Sequence, residues 1–289
     1  EVILGHYAMR AFVPIVIASM SGSIVNRILI GETAAFEIPA YAIGSYFEVP
    51  AFALLGVAAA AVAIAFQFML IFLDQAARSV VMPTWARPVL GGVVLGAMGL
   101  AFPEILGVGY EATDTALKQG YTVEVMLTLL AAKMVATAVT LASRFGGGIF
   151  SPSLYLGAMT GGAFGMIATS FFPEISSDHG LYAILGMGAV AAAMLGAPIS
   201  TTLIVFELTG GYALSIALLL TVSIATSLHQ AVHGMSYFQW QLDVRGVIEG
   251  HHYFMKTVRA VSIMTPAPKP APGEGPREEN GPPPENEPY

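Results

Sequence analysis

From residue 145 to residue 173 the chain runs for 29 residues without a charged side chain, and the front of that run is crowded with glycine. Its segment 146–165, GGGIFSPSLYLGAMTGGAFG, holds seven glycines in twenty residues. A soluble fold places such glycines in exposed polar turns. Here they open a run long enough to cross a bilayer, which takes about 20 apolar residues. Two more charge-free runs, 51–73 with 23 residues and 180–206 with 27, are of spanning length. Only 11% of the chain is charged, against roughly 25% in soluble domains. That is too little to cover a water-facing surface, so the chain reads as an integral membrane protein.

The remaining composition excludes more than it assigns. There are no cysteines, hence no disulfides and no thiolate metal site. The net charge of −7 carries no polybasic patch, so no nucleic-acid partner is expected. The first residue is Glu1, residues 2–4 are already apolar and no signal-peptide pattern is present. We expect further chain to precede it.

Along the sequence, residues 1–30 read as one helix or a pair broken at Pro14. An amphipathic connector with Glu32, Glu37 and Glu48 follows, then a span at 51–73. Residues 74–88 read as a polar turn region with Arg78 and Arg87, and 89–102 as a short helix stopped by Pro103. Residues 105–120 suit a loop with a short helix, and 123–142 a span carrying Lys133. After the glycine-rich segment come helices at 181–195, 198–208 and 214–230, and a more polar one at 236–246. Uneven, interrupted helices mark a polytopic transporter rather than a regular bundle, because breaks at membrane depth survive only inside protein or beside water. Nine of the last 25 residues are proline, so we place the membrane region at 1–260 and a disordered tail at 261–289. Arg245, Lys256 and Arg259 then put the C-terminus on the cytoplasmic side.

The glycine entry carries the most chemistry. Gly148, Ile149, Phe150, Ser151 and Pro152 suit a helix start whose free N–H groups hold an anion, with no Cβ in the way and a proline fitting the first turn. Close packing of helices through small residues is the competing reading, and it is the preferred one for Gly157, Gly161, Gly162 and Gly165. Gly186-Met-Gly188-Ala-Val-Ala191 fits G-x-G-x-x-A after a strand-like LYAIL, with Glu207 at the spacing of a ribose-binding acid. That pattern would make a dinucleotide-dependent membrane enzyme, against which stand Pro198 and membrane-like flanks on both sides. Glu207 otherwise bonds backbone amides near Gly210 and Gly211. Lys133 and Arg144 either flank a permeation route or snorkel to the interface. Tyr237 and Phe238 either meet an anion or, with Trp240, anchor at the interface. His229, His233, His251 and His252 form no metal-ligand pattern.

On these residues the chain resembles the CLC family of chloride channels and chloride/proton exchangers. The segment GGGIFSPSLYLGAMTGGAFG resembles that family's G-x-F-x-P motif at the start of its helix N. GLYAILGMGAVAAAMLGAPISTTLIVFELTGGY resembles its helices O and P, and EVILG followed by FEIP its helix I and the stretch after it. SYFQWQL resembles its helix R, and SIMTP the opening of a CBS domain that the following proline-rich sequence does not continue.

The resemblance implies an all-α polytopic membrane fold with broken, tilted helices, of which this chain carries the second half of an inverted repeat. It implies chloride held by the amides of Ile149 and Phe150, no cofactor and no enzyme activity. It implies a homodimer in a plasma or inner membrane, joined through helices near 1–19, 198–208 and 214–230. The family's G-S-G-I-P and G-R/K-E-G-P motifs are not in the sequence. Phe238 stands where the resemblance expects the pore tyrosine, with Tyr237 one place early, and Val2 stands where coupled members carry a proton-handling glutamate. Those two positions favour channel-like conduction over proton-coupled exchange.

Overall fold

A computed structural model describes residues 9–29, 31, 48–80, 82–118, 120–173, 177–209 and 214–244. Glu1, Val2, Glu32, Glu37, Gly210, Gly211, Arg245, His251, His252, Lys256, Arg259, the FEIP and SIMTP stretches and the tail 261–289 lie outside them. The chain divides into two compact units, Glu1–Gln241 and Leu242–Tyr289, and the buried core belongs to the first.

Among the described residues all regular structure is helical. The helices are α1 (Met9–Leu29), α2 (Val49–Ser79), α3 (Ala86–Ala101), α4 (Tyr110–Leu117), α5 (Val123–Ala142), α6 (Phe150–Phe171), α7 (His179–Leu195), α8 (Pro198–Thr209), α9 (Ser215–His233) and α10 (Tyr237–Val244). A 3₁₀ turn, Pro103–Ile105, links α3 towards α4. Four stretches are long and apolar enough to span a bilayer: Val49–Ser79, Val123–Ala142, Phe150–Phe171 and Ser215–Val244.

Three expectations are corrected here. The LYAIL run lies in the first turns of α7, not in a strand, because a helix buried on every side is apolar all round and loses the helical period. Residues 74–79 continue α2 instead of turning, supported by the Arg78–Asp74 ion pair at 2.6 Å one helical turn apart. The alternative of a pair broken at Pro14 also fails: α1 is one helix that takes Pro14 inside it.

The centre is the α6–α7 pair. Every residue of α7 from Gly180 to Leu195 is buried. The two backbones meet through glycine. A Cβ on Gly161 would lie 2.0 Å from the Tyr182 carbonyl oxygen, and one on Gly157 would lie 2.3 Å from that of Gly186. Only glycine permits such an approach, and without a hydrophobic drive inside lipid this close contact is what holds helices together. Gly186 faces Gly157 and Gly161, while Gly188 faces Leu218 of α9. The G-x-G-x-x-A pattern is therefore a packing seam in mid-helix, with no helix start to receive a pyrophosphate. Glu207 is exposed on α8, so the dinucleotide reading has no support.

α2, α5 and α9 flank that pair. Glu48, just ahead of α2, is 2% exposed. Its carboxylate accepts from the Tyr182 hydroxyl at 2.7 Å, the Ser177 hydroxyl at 2.6 Å and the Ser177 N–H. Three donors on one carboxylate compensate its burial and tie the start of α2 to the start of α7.

Candidate functional site

The site is the corner where α5 turns into α6. α5 ends with Ser143 N–H donating to the Val139 carbonyl, then Arg144 N–H to Leu141 at 3.1 Å and Phe145 N–H to Thr140 at 3.2 Å. Arg144 takes a left-handed φ of 66°, which reverses the chain. Gly146, Gly147 and Gly148 then run exposed to Ile149, the residue that caps α6.

The first helical bond of α6 is Ser153 N–H to the Ile149 carbonyl at 2.9 Å. The N–H groups of Phe150 and Ser151 precede it, that of the capping Ile149 precedes them, and Pro152 has none. These amides carry the positive end of a 22-residue helix. The glycines ahead of them need glycine neither for φ nor for packing: none has a positive φ, and a Cβ built on Gly146, Gly147 or Gly148 meets nothing within 4 Å. What glycine leaves there is room.

That room is part of a cavity of about 500 Å³. Gly146, Gly147, Gly148, Ser151 and Pro152 form one wall; Lys133 and Thr137 of α5 help form another. Lys133 is the one charged residue of the lining, and no carboxylate joins it. A cavity with a cation, open amides and no acid suits an anion and repels a cation.

The third wall is the strap at residues 105–108, and three of its carbonyls are taken by donors. The Lys133 ammonium donates to the Ile105 carbonyl at 2.7 Å and to that of Gly107 at 2.9 Å. It also sits 5.1 Å from the centre of the Tyr155 ring. Ser151 donates to the Val108 carbonyl at 2.8 Å. Gly109 follows with a φ of 87°, and a Cβ there would lie 2.6 Å from that same Tyr155 ring. Lys133 is therefore buried at 3% exposure and bonded inward, which overturns the snorkelling alternative. The alternating Pro103, Gly107 and Gly109 were the available signal for a strap needing donors, but nothing in the spacing named Lys133 as the donor.

The remaining expected residues divide between two apolar clusters. Ile149, 1% exposed, shares a buried cluster with Tyr237. Phe150 packs on the other cluster, which Phe238 also reaches. Tyr237 is 6% exposed and packs edge-on to Phe238 at 5.9 Å and beside Trp240 at 5.7 Å between ring centres. It lies in the core, not in an interfacial belt. The start of α10 is thus brought to the same core as the start of α6, and of the two aromatics Tyr237 is the more deeply set.

Comparison with known proteins gives the family. The family model described as voltage gated chloride channel matches residues 1–230. The H(+)/Cl(-) exchange transporter ClcA of Vibrio cholerae is 31% identical over 220 residues, covering 75% of this chain and 47% of that protein. The ClcA of Cronobacter sakazakii is 32% identical over 233 residues, covering 79% and 50%. The chloride channel protein CLC-f of Arabidopsis thaliana is 30% identical over 226 residues, covering 73% and 29%. Among solved structures, a slow cyanobacterial Cl-/H+ antiporter superposes with a TM-score of 0.66 at 23% identity, over 78% of this chain and 53% of that one. A eukaryotic CLC transporter superposes with a TM-score of 0.67 at 19% identity, over 84% and 41%. The chain spans about half the length of the curated bacterial relatives it matches. With a helical fold shared by those structures and a family model covering residues 1–230, this chain belongs to the voltage-gated chloride channel (CLC) family.

Proposed function

We propose that the protein carrying this chain moves chloride across a membrane, and that the α5–α6 corner is where the anion is held. The observation that carries this is the open glycine entry: three glycines demanded by neither φ nor packing, ahead of N–H groups that no helical bond uses, beside a cavity whose one charge is Lys133. Gly148, Ser151 and Pro152 line the approach, and the amides of Ile149 and Phe150 bind. A fixed cation already committed to two carbonyls leaves binding weak enough for release, as transport demands. Tyr237 joins from α10, while Phe238 and Phe150 pack on the same neighbouring cluster.

Proton-coupled exchange is favoured over channel-like conduction. The ClcA relatives of Vibrio cholerae and Cronobacter sakazakii carry exchanger names, and that outweighs the argument from Val2 and Phe238. The working unit is a homodimer. Exposed Ile15 and Ile17 of α1, Ile199 and Leu203 of α8, and Ile216 and Leu219 of α9 offer the apolar surface for a second copy and for lipid. Residues 1–260 form the membrane region and 261–289 a tail on the cytoplasmic side, and the membrane is a plasma or inner membrane.

The site is tested by deleting one N–H without touching a side chain. Proline at 150 would do this poorly, because Ile149 is helical and a following proline disfavours that conformation. An amide-to-ester exchange at Phe150 is cleaner. Losing one hydrogen bond to a charged ligand costs about 1.5–3 kcal/mol, so chloride affinity by calorimetry on the intact protein should fall roughly tenfold or more. Unchanged affinity refutes the site. Coupling is read separately: chloride-loaded liposomes should drive uphill proton movement, and chloride flux without it removes the exchanger reading.

A further inference from the structure

Away from the anion corner, the seam between α2 and α9 contains polar atoms that the packing does not explain. Seven buried side-chain polar atoms lack a hydrogen-bond partner among the described residues, and four of them belong to this seam: Gln67 Oε1, Thr226 Oγ1, and both ring nitrogens of His229. His229 is 0% exposed and Gln67 1% exposed. Thr226, His229 and His233 stand at spacings of three and four along α9, which puts them on one face. The imidazoles of His229 and His233 are 5.0 Å apart between ring centres.

The seam has an outer end. His233 is half-buried at the last turn of α9, with exposed Val232 and Gly234 on either side of it. Its ring packs on Phe68 at 4.4 Å and its Nε2 lies 3.3 Å from the Ile64 carbonyl. Gln67, on the same turn of α2, donates through Nε2 to the Met235 carbonyl at 3.4 Å, leaving Oε1 turned to no protein donor. Small side chains, Ala60 and Ala63 on α2 and Ala225 on α9, complete the buried seam. Four unsatisfied polar atoms leading inward from a half-buried histidine give bridging waters the two to four partners each requires. A dry seam would have no use for them.

We propose that the α2–α9 seam holds a hydrated proton-binding site in which His229 and His233 share one proton, reached from the C-terminal end of α9 through His233, with Gln67 and Thr226 holding the water. A hydronium ion at the outer end gives up one O–H bond's proton to an imidazole nitrogen lone pair, forming the N–H bond, and leaves as water. One proton is the limit, because two imidazolium rings this close and away from bulk water repel.

No other charge competes at the site among the described residues. The helices packed against α9 are α2, α7 and α8. On α2, Asp74 and Arg78 pair with each other beyond Gln67. On α7, Tyr182 is bonded to Glu48 at the opposite end of α2, and His179 Nδ1 contacts Thr169 of α6. Glu207 of α8 is exposed, and Tyr237 begins the helix after the turn.

The test is nuclear magnetic resonance on the intact protein in lipid nanodiscs, with ¹⁵N-labelled histidine and His229→Phe and His233→Phe variants for assignment. Expected are cross-peaks from water to the His229 ring nitrogens. Both rings' shifts should move together in one shared transition, and exchange at His229 should slow in His233→Phe. A His229 ring without water cross-peaks overturns the proposal, as does movement confined to His233. Where His229→Phe does not fold, Thr226→Val gives the second reading: loss of the water cross-peak supports the site, and a cross-peak unchanged in the variant removes Thr226 and the site with it. None of these readouts depends on chloride transport.

Discussion

Two groups of glycines lie within one helix turn-and-run, and they do opposite things. Gly157 and Gly161 of α6, with Gly186 of α7, are places where a Cβ would collide with backbone at 2.0–2.4 Å. Gly146, Gly147 and Gly148 are places where a Cβ would meet nothing. Both groups are spelled with the same letter in a charge-free run, so composition cannot separate them. Geometry can: the first group lets two helices touch, and the second leaves space for something that is not protein. The largest predicted effect follows from the first. Gly161→Ala forces its methyl carbon onto the Tyr182 carbonyl oxygen, and α6 and α7 can relieve it only by parting. Overpacking of this kind costs about 3 kcal/mol. The thermal midpoint of the intact protein in detergent should drop markedly. A wild-type midpoint would mean the helices are not in backbone contact.

Gly188 grades the comparison. It lies in the same helix as Gly186, but a Cβ there meets the tip of the Leu218 side chain at 2.6 Å, with Val205 next at 3.5 Å. A leucine tip can rotate where a carbonyl cannot move. The repacking cost of about 1 kcal/mol is opposed by the gain of about 1 kcal/mol for alanine over glycine in a helix interior. Gly188→Ala should therefore leave stability within about 1 kcal/mol of wild type, read in the same melt. A loss as large as that of Gly161→Ala would show that α9 is held as rigidly against α7 as α6 is.

The difference between these regions also marks what the sequence makes legible. The span Val123–Ala142 and the start of α6 beside Pro152 are readable, because chain-end chemistry and apolar runs are local signals. The LYAIL run is not, because α7 is buried all round and a fully apolar helix looks like a buried strand. The end of α2 is missed for a different reason. Hydropathy reports contact with lipid, and α2 runs past its apolar part into a polar turn held by Arg78 and Asp74. At the site, the glycine entry is legible, but the role of Lys133 is not. A lysine in a span can snorkel or turn inward, and only the strap carbonyls of Ile105 and Gly107, 26 to 28 residues earlier, decide it. The buried Glu48 fails the same way, since its donors Ser177 and Tyr182 are over 120 residues off.

The smallest effect on stability is the most informative about function. Gly148→Ala puts a methyl into open space at a residue without a positive φ, immediately ahead of the first free amides of α6. Substitutions free of packing and strain stay within about 0.5 kcal/mol, so the melt should not distinguish the variant from wild type. Chloride binding should nevertheless weaken several-fold, because the added methyl stands beside the N–H groups that the anion approaches. The two readouts separate the two kinds of glycine. If stability falls as it does for Gly161→Ala, the loop is packed against another part of the protein and the contrast between the groups collapses. If neither stability nor binding changes, the loop glycines serve neither packing nor the anion, and the site must move along α6. Unchanged stability with weakened binding leaves one explanation for three consecutive glycines at this corner: the space in front of the α6 amides is kept free of protein so that an anion can enter it.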